Sequence, residues 1–143
     1  MGNTDMGTST ILLAEDDLDI RDIVQEVLEE RGYDVVPART GKQALDYLAL
    51  DPRPPPDIVI LDLMMPIVTG WQVLEAILHD PALARIPVVV VSAASQDRPI
   101  GAAAFLRKPF RVEVLLDTIG RLRAEVLRDP GKTWGRTGTG EKA

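Results

Sequence analysis

The chain has 143 residues, no cysteine, one histidine and a net charge of −6. That length suits one domain with a normal core. The lack of thiols excludes disulfides, thiolate catalysis and zinc ribbons, and the acidic balance argues against non-specific nucleic-acid binding, which needs a basic face.

In chain order, residues 1–9 are small and polar and read as a poorly ordered tail without an export signal. The first apolar run, Ile11–Ala14, is followed by Ile20, Ile23, Val24, Val27 and Leu28 on one expected helical face, with Gly32 as the stop. Tyr33–Val36 forms a second run, and Thr40 is placed to cap a helix that turns Ala44, Leu45 and Leu48 inward. Pro52–Pro56 reads as a stiff loop before the third run, Ile58–Leu61. A third helical pattern carries Trp71, Leu74, Ile77 and Leu78, with Trp71 expected to pack and His79 to lie on the surface. Val88–Val91 and Ala104–Leu106 are the last two runs, and a helix from about Arg111 to about Arg128 turns Val112, Leu115, Leu116, Ile119 and Leu122 inward. Residues 129–143, glycine-rich with a lone Trp134, read as a second poorly ordered tail. No apolar run approaches the ~20 residues of a membrane-spanning helix, and with no export signal a cytoplasmic location is expected.

Strand and helix in alternation imply a parallel sheet covered on both faces. The expected fold is α/β: a flavodoxin-like, doubly wound, five-stranded sheet in the order 2-1-3-4-5, occupying residues 10–128. The Ser92–Ala103 interval, with Pro99 and Gly101 inside it, is short for a parallel crossover. A shortened or irregular fourth crossover helix is expected there.

Such sheets bind ligands at the carboxyl ends of their strands. There the sequence places Glu15, Asp16 and Asp17 after the first strand, Asp62 after the third, Ser92 after the fourth and Lys108 after the fifth. Carboxylates gathered so closely repel one another unless a cation joins them. Mg²⁺ suits an all-oxygen site that leaves room for water and phosphate oxygens. A carboxylate beside that ion can attack phosphorus and form an acyl phosphate, with the metal and a lysine neutralising the equatorial oxygens. Taken singly the residues have plainer explanations: Asp17 and Asp19 as helix caps, Asp62 as a strand-end cap, Lys108 as a surface residue and Phe105 as core.

The segments Ile11–Asp17, Ile58–Pro66 with Gly70, Ser92–Ala93 and Lys108–Phe110 resemble the signature of response-regulator receiver domains, in family order. The resemblance implies that Glu15 and Asp16 form the acidic pair and that Asp62 is the phosphoacceptor. It implies Asp16, Asp62 and the Met64 backbone carbonyl as ligands of Mg²⁺, with Glu15 completing the acidic site. It makes Ser92 the switch hydroxyl, Lys108 the phosphate-neutralising lysine, Phe105 the aromatic switch residue and Lys108–Pro109 a candidate cis bond. The implied protein is a stand-alone receiver, a signalling domain rather than an enzyme. It takes its phosphoryl group from a sensor histidine kinase or phosphotransfer protein and acts on an unknown downstream protein, without direct contact to nucleic acid or membrane.

The chain departs from the family pattern in three places. Glu15 stands where Asp is commoner, the Ser92–Ala103 crossover is short, and the two positions that tune hydrolysis are Met64 and Ala94, neither of which can hold an attacking water. Slow self-dephosphorylation is therefore expected. Two other readings stay open: a degenerate receiver acting as a phosphorylation-independent binding module, and a haloacid-dehalogenase-like phosphatase. The latter places a second Asp two residues after its nucleophile, where this chain has Met64.

Overall fold

A computed structural model describes residues 9–50, 54–93 and 99–134. The elements run β1 (Thr10–Ala14), α1 (Leu18–Glu30), β2 (Asp34–Ala38), α2 (Gly41–Leu48), β3 (Ile58–Asp62), α3 (Gly70–His79), β4 (Val88–Ser92), β5 (Ala104–Arg107) and α4 (Val112–Arg128). The five strands are all parallel, in the order β2-β1-β3-β4-β5, as the alternating pattern predicts.

The strands are buried on both faces because successive side chains point to opposite sides of a sheet. Leu12, Ala14, Val59, Leu61, Val88 and Val90 face one way, against α2 and α3. Ile11, Leu13, Ile58, Ile60, Val89 and Val91 face the other way, against α1 and α4. Both Val and Ile favour the extended backbone. Pro37 is accommodated in β2 because β2 is an edge strand.

Side-chain caps start three helices. Asp17 accepts from the Ile20 amide, Thr40 from that of Gln43, and Thr69 from that of Gln72. Asp17 thus takes its plainer role as a cap.

Three expectations are corrected. The buried stripe of α1 is Arg21, Val24 and Leu28, and Ile23 is 54% exposed. Successive helical residues are rotated by about 100°, so a stripe through Arg21 and Val24 carries Ile23 toward solvent. Trp71, expected to pack, is exposed on α3, whose inward residues are Gly70, Val73, Leu74 and Ile77. The end of the packed unit also lies further on than Arg128. After α4 the chain turns, with the Lys132 amide donating to the Asp129 carbonyl at 3.0 Å. Trp134 is then buried against the α1/α4 side of the sheet, its indole Nε1 donating to the Arg85 carbonyl at 3.1 Å.

Among the described residues the β4–β5 crossover contains no helix. Pro99, Gly101 and Ala102 are buried there, and the Ala102 amide donates to the Pro99 carbonyl at 3.1 Å. Ala94, most of the first tail, residues 135–143 and part of the Pro52–Pro56 loop lie outside the described residues.

Candidate functional site

The carboxyl ends of β1, β3, β4 and β5 converge on one edge. Glu15 follows β1 directly; its amide donates to the Ala38 carbonyl at 3.0 Å, and its side chain is 1% exposed. Asp16 is exposed beside it. Asp62 closes β3 and is 2% exposed. One oxygen from each of Glu15, Asp16 and Asp62 lies within 4.8 Å of the others.

Lys108 enters this cluster from the end of β5, held by its own amide, which donates to the Ser92 carbonyl at 2.9 Å. The Lys108–Pro109 bond is cis. The Lys108 ammonium lies 3.0 Å from one Glu15 oxygen and 3.2 Å from Asp62 Oδ2. Two of the three carboxylates therefore share one ammonium.

The charges respond to this imbalance. The Glu15 carboxyl is pushed up to about 7, chiefly by burial and further by the Asp62 charge, although the Asp17 amide and Lys108 pull it down. Asp16 is also raised, by partial loss of hydration and then by its hydrogen bond to Asp62 and the repulsion from it. Burial pulls the Lys108 ammonium down, but Glu15 and Asp62 outweigh it and the net shift is upward.

The donor set is entirely oxygen and carries excess negative charge, which fits a hard divalent cation. Glu15, Asp16 and Asp62 could hold one. Met64 is adjacent: its amide donates to Asp62 Oδ1 at 3.0 Å, while its side chain is 60% exposed.

The loop after Asp62 is tightly folded back. A Cβ on Gly70 would overlap the Asp62 carbonyl, so glycine is required there for α3 to start beside β3. Ile67 in the same loop has φ 68° and is 95% exposed, an uncommon conformation for a β-branched residue.

Ser92 is fully buried at the end of β4. Phe105 does not join the cluster; it lies mid-strand opposite Val90 and packs half-buried on the α2/α3 side. His79 is exposed, its Nδ1 2.9 Å from the Glu75 carbonyl. An apolar groove of about 440 Å³ opens beside Lys108, lined by Ile20, Ile23, Val24, Pro109, Phe110 and Val112. The sequence reading overlooked this groove because it assigned Ile23 to the core. It also overlooked Arg21, whose spacing of three and seven from Val24 and Leu28 is the available signal.

A doubly wound parallel sheet with an acid cluster and a lysine at its carboxyl edge defines a carboxylate-centred pocket suited to phosphoryl chemistry. Comparison with known proteins narrows this class. Residues 11–120 match the family model described as the response regulator receiver domain, and the chain belongs to that family.

Among curated relatives, the polar-differentiation response regulator DivK of Brucella anthropi is 30% identical over 80% of this chain and 94% of its own length. The response regulator GtcR of Aneurinibacillus migulanus is 30% identical over 85% of this chain, which spans 49% of that protein. RpaA of Synechocystis, a DNA-binding dual master transcriptional regulator, is 36% identical over 84% of this chain and 51% of its own. This chain thus spans about half the length of GtcR and RpaA. Among solved structures, the receiver domain of a histidine kinase from Syntrophus aciditrophicus superimposes with a TM-score of 0.77 at 31% identity, covering 88% of this chain and 98% of its own. The chemotaxis response regulator CheY4 of Vibrio cholerae gives 0.72 at 27% identity, covering 80% and 98%.

Proposed function

We propose that this domain accepts a phosphoryl group on Asp62 from a phosphohistidine donor and signals by the change in shape that follows. The observation that carries this reading is the Lys108 ammonium, 3.2 Å from Asp62 Oδ2 inside a cluster of three carboxylates.

In the reaction, an Asp62 carboxylate oxygen attacks phosphorus, the P–N bond of the donor breaks, and the imidazole leaves and takes up a proton. Mg²⁺, held by Glu15, Asp16, Asp62 and the Met64 carbonyl, would supply neutralisation of the phosphoryl oxygens. Lys108 attracts the incoming phosphoryl oxygens and balances the charge they bring. The Met64 amide fixes the Asp62 side chain by donating to Oδ1. The Ser92 hydroxyl then donates to the bound phosphoryl group, and Phe105 turns inward behind it.

The donor is a sensor histidine kinase or a phosphotransfer protein, and the setting is cytoplasmic. The apolar groove beside Lys108 and the exposed acids Asp19, Asp22 and Glu26 on α1 suit a donor surface that is apolar and ringed with basic residues. Output passes through contacts with another protein.

Intact mass measured after incubation with acetyl phosphate and Mg²⁺ tests the reading, with Asp62→Asn as control. A gain of one phosphoryl group on the native chain alone supports it. No gain would favour a binding module, and repeated turnover of an unrelated phosphoester would favour a phosphatase.

A further inference from the structure

Arg21 lies on the inward stripe of α1 with Val24 and Leu28 and is 6% exposed. A charged side chain at such a position loses hydration and must recover it through specific partners. Arg21 Nη1 donates to the backbone carbonyl of Glu15 at 2.9 Å, within a buried setting. Among the described residues, its side chain makes this one hydrogen bond.

That carbonyl occupies a decisive place. A peptide unit is planar, so the Glu15 carbonyl, the Asp16 amide and the Asp16 Cα move as one body. On the other side of Glu15, its own amide is held by the Ala38 carbonyl. One residue further on, the Asp17 amide donates to Glu15 Oε2 at 3.1 Å. The Ala14–Glu15 peptide is therefore held by β2 and the Glu15–Asp16 peptide, one step further on, by Arg21. Asp16 is exposed and beyond the end of β1, so the orientation of this peptide governs where its carboxylate sits.

We propose that Arg21 is a positioning residue for the divalent-cation site. Resting on the function proposed above, it holds the turn after β1 so that the oxygens of Glu15, Asp16 and Asp62 stay within reach of one ion. It touches neither the ion nor the phosphoryl group. Groups that orient metal ligands typically change metal affinity by roughly 10–100-fold when removed.

The test is a titration of the full chain with Mn²⁺ followed by electron paramagnetic resonance, together with Mg²⁺-dependent thermal shift. Arg21→Met keeps the length of the side chain and removes its donors. It is expected to bind Mn²⁺ at least about tenfold more weakly than the native chain. Phosphorylation by acetyl phosphate at saturating Mg²⁺ should stay within about threefold of native, because Asp62 and Lys108 are untouched. Arg21→Lys should recover part of the affinity, since an ammonium can still donate to the carbonyl. Val24→Ala, on the same buried stripe, should lower stability and leave the affinity unchanged. If Arg21→Met does not fold, Arg21→Gln takes its place with the same expected loss, its amide being too short to reach.

Unchanged Mn²⁺ affinity in the Arg21 variant, or an equal loss in Val24→Ala, overturns the proposal. Failure of the native chain to bind Mn²⁺ or Mg²⁺ overturns the metal-assisted reading itself, which separates the two failures.

Discussion

The ammonium of Lys108 lies 3.0 Å from the carboxylate of Glu15, a residue 93 positions earlier in the chain. It joins the last strand to the first and offsets part of the charge of three acids. Lys108→Met leaves those acids without their cation. Breaking a buried pair typically costs roughly 3–5 kcal/mol. Here Glu15 can take up a proton instead, so urea denaturation should report a loss of about 2 kcal/mol. Phosphoryl uptake from acetyl phosphate should slow by about a hundredfold, as for loss of one charge-stabilising donor.

The Glu15 carboxyl is raised from 4.5 to about 7. A raised value in the folded state means that folding favours the protonated form. Its stabilising contribution is complete below pH 4.5 and is lost as pH rises through about 7. Lys108, raised above 10.5, stays charged throughout this window. In chelator, the melting temperature of the native chain should fall between about pH 5 and pH 8, and Glu15→Gln should flatten that slope. Mg²⁺ would bind the ionised form, so its stabilising effect should grow over the same range.

Asp62→Asn removes one of three like charges while nearly preserving shape. In the absence of divalent ions it should raise stability by about 1 kcal/mol, because Glu15 and Asp16 lose a repelling neighbour. Added Mg²⁺ should then stabilise the variant much less than the native chain. A melting temperature in chelator lower than native would contradict this account of the cluster.

The phosphoryl group on Asp62 should persist. Met64, two residues on, is 60% exposed and offers a thioether where a polar side chain could hold an attacking water. Met64→Asn should shorten the lifetime several-fold, as followed by mass after excess acetyl phosphate is removed. A native half-life of seconds without a phosphatase would defeat the expectation.

Trp134 is buried and bonded to the Arg85 carbonyl, and Lys132 lies 4.8 Å from its ring centroid. Trp134→Ala should cost about 3 kcal/mol, in the range for deleting a buried aromatic. Mg²⁺ affinity should be unchanged.

The parts of this molecule that repeat were legible in its sequence. The runs of Val and Ile mark the strands within one or two residues, and the acids, serine and lysine that follow them fall at one edge because parallel strands share a direction. What escaped was decided by single side chains. Arg21 is polar and so lies outside any apolar period, yet it occupies the inward stripe by satisfying a backbone carbonyl. That choice turns α1 and brings Ile23 to the surface. Trp134 stands alone in a glycine-rich stretch, so no period announces its burial. Trp71 shares a nominally apolar helix face, but the stripe of α3 runs through Val73, Leu74 and Ile77.

Pro37 gives the sheet an asymmetry with consequences for crowding. The Asp34 amide donates to Ser9 and the Ala38 carbonyl accepts from Glu15, so both residues turn toward β1. Backbone groups alternate along a strand, so Pro37 faces outward, where its ring replaces an N–H. A further strand laid against that border would meet a gap in its ladder. At high concentration, molecules meeting border to border along β2 should slide apart rather than zip into a longer sheet. Self-association, where it occurs, is left to the helices or to the opposite border at β5.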